Sequence, residues 1–105
     1  MKSVLIATAA ALAALATAPA FADADAAMSK AGCMACHAKD KKLVGPAFKE
    51  IAAKYKGQDG AVAKLTEKVR KGGAGSFGPT PMPAHGADKI GDAELQSAVE
   101  SILKS

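Results

Sequence analysis

The run GCMACH at residues 32–37 constrains the fold more than any other part of the chain. It places Cys33 and Cys36 three positions apart, with His37 directly after the second cysteine. Such a pair can form a redox disulfide, supply half of a zinc site, or hold a haem group through covalent bonds. Each use requires a different setting, so the rest of the sequence has to decide among them.

The zinc and disulfide interpretations fit the rest of the chain poorly. A structural zinc site needs four ligands, and His85 is the only other cysteine or histidine in the sequence. A thioredoxin-like pair belongs to a βαβ setting, yet no convincing strand pattern precedes Cys33. An oxidised Cys33–Cys36 pair would also close only a very small loop and add little stability.

A covalently bound haem accounts for every residue of the motif. Positions i and i+3 share one face of a helical turn, so Cys33 and Cys36 can each form a thioether with a haem vinyl group. His37 is then carried under the iron as an axial ligand. The sequence therefore predicts one covalent haem c per chain.

The first 22 residues have the pattern of a secretory signal peptide. Lys2 gives a positive start, an apolar run extends over residues 4–18, and small residues precede a cleavage site after Ala22. The run is shorter than the roughly 20 residues that span a bilayer. We therefore expect an exported monohaem domain of residues 23–105 that is not an integral membrane protein once processed.

This domain is poor in large apolar side chains, which suits a haem-centred core. Phe48, Tyr55 and Phe77 are its aromatic residues, and the chain has no tryptophan. A domain of this size would have a thin core unless a bulky group filled it. The full chain has a net charge of +4, which falls to +3 without Lys2 of the signal peptide. This charge is mildly basic, and no aromatic residues are interleaved among the charges, so binding to nucleic acid is not expected.

Apolar periodicity indicates an all-α fold of about four short helices. The predicted helices cover residues 23–31, 47–56, 61–71 and 93–104, with Asp92 as the N-cap of the last. No strand pattern is convincing. Residues 72–89 hold five glycines and three prolines without helical periodicity. A loop this long in a small domain is functional or disordered, and the spaced prolines favour a stiff, functional loop.

Met82, between Pro81 and Pro83, is the predicted sixth ligand of the haem iron. Both prolines restrict the backbone, so the thioether is held in advance of ligation. Three other side chains are candidates: Met28, Met34 and His85. Met34 lies inside the attachment motif, Met28 has the spacing of a core residue, and His85 remains the alternative ligand.

Ligation by His37 and Met82 would fill both axial positions of the iron. A closed iron favours electron transfer, and a soft thioether raises the reduction potential. The sequence therefore predicts an electron carrier that is not an enzyme. The alternative is a haem sensor or enzyme in which Met82 is displaced to open the iron.

Three stretches resemble the small bacterial class I cytochromes c of the c-551/c-552 type: GCMACHAKDKKLVGPAFKEIAAKY, KVRKGGAGSFGPTPMP and GDAELQSAVESIL. The resemblance implies a cytochrome c fold packed around one haem, and a periplasmic carrier of single electrons. We expect this carrier to be a monomer. It implies redox partners such as membrane cytochrome complexes, terminal oxidases, reductases or photosynthetic reaction centres. It also implies that the Pro46 carbonyl accepts the ring N–H of His37.

Three positions depart from the family pattern. Phe77 stands where the family usually has a tryptophan that binds a haem propionate, which leaves Lys68 or Arg70 for that role. Ser101 replaces a common aromatic residue, which suggests looser packing. His85 replaces an asparagine thought to donate to the methionine sulfur. Either His85 acts on that sulfur, so that its titration shifts the reduction potential, or it is a solvated loop residue.

The basic residues near the haem-bearing segments allow two interpretations. They are Lys30, Lys39, Lys41, Lys42, Lys68, Arg70, Lys71 and Lys89. They could ring an exposed haem edge and steer an acidic partner, which would make association depend on salt. They could equally form an ordinary solubilising surface.

Overall fold

The computed structural model describes residues 20–105. Residues 1–19, which hold most of the predicted signal peptide, lie outside the described residues. The described part contains four α-helices and a 3-10 turn: α1 (Ala20–Ala31), the 3-10 turn (Cys33–Ala35), α2 (Phe48–Tyr55), α3 (Ala61–Lys71) and α4 (Asp92–Leu103). Within residues 20–105 there is no strand, only two isolated bridges. The predicted all-α fold is confirmed.

The helix boundaries follow local backbone chemistry. Ala47 has an extended backbone (φ −63°, ψ 148°), so α2 begins at Phe48, one residue later than predicted. The prediction of Asp92 as an N-cap is wrong. Gly91 occupies that position and its N–H donates to the Glu94 carboxylate at 3.4 Å. Asp92 is instead the first helical residue, and its carboxylate pairs with Arg70 at 2.6 Å.

The core is a layer of small and aliphatic side chains between α1 and α4, closed by α2 and α3. Its buried members are Ala24, Ala27, Met28, Ala31, Phe48, Ile51, Leu65, Ile90, Leu95, Ala98 and Val99. Met28 is only 3% exposed, so its interpretation as a core residue is confirmed. Ser101 is half-buried and lines a polar surface groove with Lys49 and Lys104.

The long loop after α3 folds back on itself through backbone hydrogen bonds. Gly73 N–H donates to Met82 O and Met82 N–H donates to Gly73 O, both at 2.9 Å. Gly72 has a positive φ of 70°, and a Cβ there would lie 2.5 Å from the Met82 carbonyl oxygen. Position 72 therefore requires glycine. The loop is thus held at the residue that the sequence singles out as a ligand.

Candidate functional site

One apolar cavity brings the predicted site residues together. Cys33, Cys36, His37, Pro46 and Met82 all line it, although Met82 is far from the others in sequence. Further lining side chains are apolar: Val44, Phe48, Ile51, Tyr55, Val69, Phe77 and Ile102. The volume of about 240 Å³ exceeds the roughly 150 Å³ of a dry cavity that holds benzene, so an apolar organic group can be accommodated. We call this space the central cavity.

The cysteines reach the central cavity from a single 3-10 turn. Gly32, with φ of 88°, starts the turn, and the N–H groups of Cys36 and His37 donate to the carbonyl of Cys33 at 3.2 and 3.0 Å. Both cysteines are free and half-buried. Burial raises the pKa of the Cys33 thiol. Redox cysteines of the thioredoxin type instead have a lowered thiol pKa, so the electrostatics disfavour a catalytic disulfide.

His37 is buried, 8% exposed, and its ring orientation is fixed on several sides. Its Nδ1 lies 2.7 Å from the carbonyl oxygen of Pro46. A carbonyl oxygen only accepts, so Nδ1 carries the proton and Nε2 keeps a lone pair for a metal. The ring stacks on Phe48 with centroids 5.4 Å apart. On another side, Gly45 leaves just enough room, because a Cβ there would lie 2.7 Å from Cε1.

Met82 is half-buried in the loop wall of the central cavity, with its backbone held to Gly73 by the two hydrogen bonds described above. The other methionines of the described residues do not line this space. Met28 belongs to the core, and Met34 is 38% exposed on the 3-10 turn. Within residues 20–105, Met82 is therefore the one thioether at the cavity.

His85 does not line the central cavity, and it is buried at 8% exposure. Its interpretation as a solvated loop histidine is therefore wrong. Its Nδ1 lies 2.8 Å from the carbonyl oxygen of Pro83, so Nδ1–H donates there. In the neutral ring Nε2 is then an acceptor, which removes the donor that a hydrogen bond to the Met82 sulfur would need.

A family model that matches nearly all of the described residues decides the family of this chain. The family model described as Cytochrome c matches residues 21–104. The chain belongs to the cytochrome c family.

Individual relatives of the cytochrome c family agree with this result. The chain is 46% identical over 72 residues to cytochrome c-551 of Azotobacter vinelandii, covering 69% of this chain and 84% of that protein. It is 42% identical over 103 residues to cytochrome c-552 of Nitrosomonas europaea, covering 98% and 97%. The crystal structure of Nitrosomonas europaea cytochrome c552 superposes with a TM-score of 0.69 at 38% identity, covering 76% of this chain and 96% of that one.

Membership establishes the cytochrome c fold and covalent haem c as the cofactor. The central cavity fits that group in two respects. Its lining is largely apolar, as a macrocycle requires, and it presents two thiols, an imidazole with a free lone pair and a thioether. No helix within residues 20–105 has both the length and the apolar character needed to cross a bilayer.

Among the side chains that the structure describes, the charged ones at the central cavity are both lysines, Lys42 and Lys68. Arg70, the other predicted partner of a propionate, does not line the cavity and instead binds groups on the loop and α4. Two further members of the predicted basic ring are paired with carboxylates: Lys39 with Asp25 at 3.7 Å and Lys71 with Glu67 at 2.7 Å.

Sequence reasoning missed the contact that ties α2 to the glycine-rich loop. Lys54 donates to the carbonyl oxygen of Ser76 at 2.5 Å, and its ammonium lies 4.6 Å from the centroid of the Phe77 ring. Phe77 in turn packs against Tyr55 with ring centroids 6.4 Å apart. An exposed lysine on a helix carries no local signal for such a contact.

Proposed function

We propose that this chain is a single-electron carrier whose haem iron is ligated by His37 and Met82, with thioethers from Cys33 and Cys36. The proposal rests on one observation. The His37 imidazole, whose Nδ1–H donates to the Pro46 carbonyl oxygen, and the Met82 thioether line the same apolar cavity. Bound haem supplies a one-electron iron couple. The chain's own residues hold, orient and shield that group.

The protein contributes three things to such a carrier. The Pro46 carbonyl fixes the His37 tautomer and raises the basicity of Nε2. The loop hydrogen bonds to Gly73 hold the backbone of Met82 at the cavity. The apolar lining would shield bound haem from water, and ligation by both His37 and Met82 would leave no coordination site for a substrate.

The cellular location and the partners of the carrier are proposed mainly from the sequence. The pattern of residues 1–22 supports export, cleavage after Ala22 and a periplasmic domain of residues 23–105. The two lysines that line the cavity, Lys42 and Lys68, favour a redox protein partner with an acidic docking surface. We expect a monomer that meets such partners transiently.

A spectroscopic experiment on the purified holoprotein tests the proposal. A pyridine haemochrome assay should give one haem c per chain. The ferric protein should have the charge-transfer band typical of methionine ligation, and the reduced protein should not change on adding carbon monoxide. Ready binding of carbon monoxide to the native reduced protein would instead support the haem sensor or enzyme, in which Met82 is displaced.

A further inference from the structure

Arg70 joins three separate groups that follow Met82 in the chain. One guanidinium nitrogen donates to the carbonyl oxygens of His85 at 3.2 Å and Ile90 at 2.8 Å. The other terminal nitrogen pairs with the Asp92 carboxylate at 2.6 Å. The Arg70 side chain is only 22% exposed, whereas Asp92 is 93% exposed.

The segment that Arg70 holds connects Met82 to α4 without regular secondary structure. Its anchor on α3 is the N–H of His85, which donates to the Val69 carbonyl oxygen at 2.9 Å. Arg70 binds the carbonyl of that same residue from the next position on α3. His85 is thus fixed through both its N–H and its C=O, three residues after Met82.

On the other side of Met82, Pro79 and Pro81 restrict the backbone only over the last few residues of the loop. The segment before Met82 holds four glycines with positive φ: Gly72, Gly73, Gly75 and Gly78. Glycine permits many backbone conformations, so this segment depends for its order on hydrogen bonds such as Gly75 N–H to Gly78 O and Gly73 N–H to Met82 O. Anchoring after Met82 therefore matters for where its thioether lies.

We propose that Arg70 is a positioning residue for Met82. By fixing the segment 83–90 on α3, it limits the fraction of molecules in which the Met82 thioether has left the haem iron. This inference rests on the proposed ligation by Met82. Hydrogen bonds from a charged donor are the strong ones, and the planar guanidinium can serve several acceptors at once, which a lysine ammonium on a flexible stem does less well.

Imidazole titration of the ferric holoprotein measures that fraction. Imidazole binds only molecules in which the sixth position is open, so its apparent affinity scales with their population. We expect Arg70→Ala to raise the affinity about tenfold and Arg70→Lys to raise it by a smaller factor. Lys71→Ala, which removes the neighbouring charge and an exposed pair with Glu67, should leave the affinity within about twofold.

A second control separates local anchoring from loss of global stability. Val99→Ala removes fully buried core volume on α4 and does not touch the central cavity. It should destabilise the protein without raising imidazole affinity as Arg70→Ala does. Equal imidazole affinities for the wild type and Arg70→Ala would overturn the proposal. The proposal would also be overturned if Val99→Ala, with the same loss of global stability as Arg70→Ala, raised the imidazole affinity by the same factor.

Amide hydrogen exchange distinguishes this inference from the proposed function. In Arg70→Ala the N–H of His85 should exchange at least several-fold faster than in the wild type. Faster exchange without a change in imidazole affinity would mean that Arg70 anchors the loop but does not position Met82, and would overturn the inference. A wild-type ferric spectrum without the methionine band would overturn the proposed ligation itself, before any variant is compared.

Discussion

The Nδ1–H of His37 donates to the Pro46 carbonyl oxygen at 2.7 Å, which commits one ring nitrogen and leaves the other available as a ligand. Gly45, which precedes Pro46, lies so close to the His37 ring that no side chain fits there. A Cβ at position 45 would lie 2.7 Å from Cε1 of His37 and within 3.2 Å of both ring nitrogens. The His37 ring is therefore held by the hydrogen bond to Pro46 on one side and by close contact with the Gly45 backbone on another.

Gly45→Ala should displace the His37 ring and destabilise the holoprotein by about 1–3 kcal/mol, the cost of overpacking a buried site. Thermal unfolding followed by absorbance of the haem measures this. The matched control is Gly86→Ala, where a Cβ would also lie 2.7 Å from another atom, but that atom is the terminal Oδ1 of exposed Asp88. Because that side chain can move, the control should lose much less stability. Equal losses would contradict the account of the imidazole site.

Lys54→Ala should loosen the glycine-rich loop. It removes a hydrogen bond to the Ser76 carbonyl and a cation–π contact with Phe77, together worth about 1 kcal/mol at an exposed site. Chemical denaturation of the holoprotein measures the free energy of unfolding. Lys49→Ala, another exposed lysine on α2, is the control and should change stability little. The same small change in both variants would show that the Lys54 contact does not stabilise the loop.

Part of this architecture was predictable from the sequence and part was not. The 3-10 turn of Cys33 and Cys36 and the arrival of Met82 at the same cavity follow from a short motif and from proline-restricted backbone, which are local signals. The roles of Arg70 and Lys54 depend on backbone carbonyls up to 22 residues away. Any segment can offer a carbonyl, so no residue pattern marks such a partner.

The wrong prediction of Asp92 as an N-cap and the burial of His85, whose role the sequence left open, have the same origin. Asp92 has the residue type of an N-cap, but its carboxylate pairs with Arg70 and Gly91 takes the capping position. His85 lies among loop residues with polar and small neighbours, yet the contacts of its backbone with α3 bury it. In both cases α3, distant in sequence, decides the environment of the side chain.

Lys42 and Lys68 should accelerate electron transfer with anionic reagents, because both line the central cavity and no carboxylate from residues 20–105 lines it. We expect an anionic oxidant to oxidise the ferrocytochrome of the double variant Lys42→Ala/Lys68→Ala several-fold more slowly than the wild-type ferrocytochrome at low ionic strength. The difference should shrink as salt screens the charges. Stopped-flow oxidation by ferricyanide measures it.

The control for this prediction is Lys64→Ala, which removes one exposed charge on α3 away from the central cavity. Its rate should stay close to that of the wild type at all salt concentrations. A double variant whose rate matches Lys64→Ala at low salt would mean that the basic residues form only a solubilising surface.

The ferric absorption spectrum of Met82→Ala, compared with that of Met34→Ala, tests the central claim most directly. Met82 lines the central cavity, whereas Met34 is exposed on the 3-10 turn. Ligation by Met82 predicts that Met82→Ala loses the methionine charge-transfer band and binds carbon monoxide when reduced, while Met34→Ala keeps the wild-type spectrum. A Met82→Ala protein that retains the band and excludes carbon monoxide would contradict ligation by Met82.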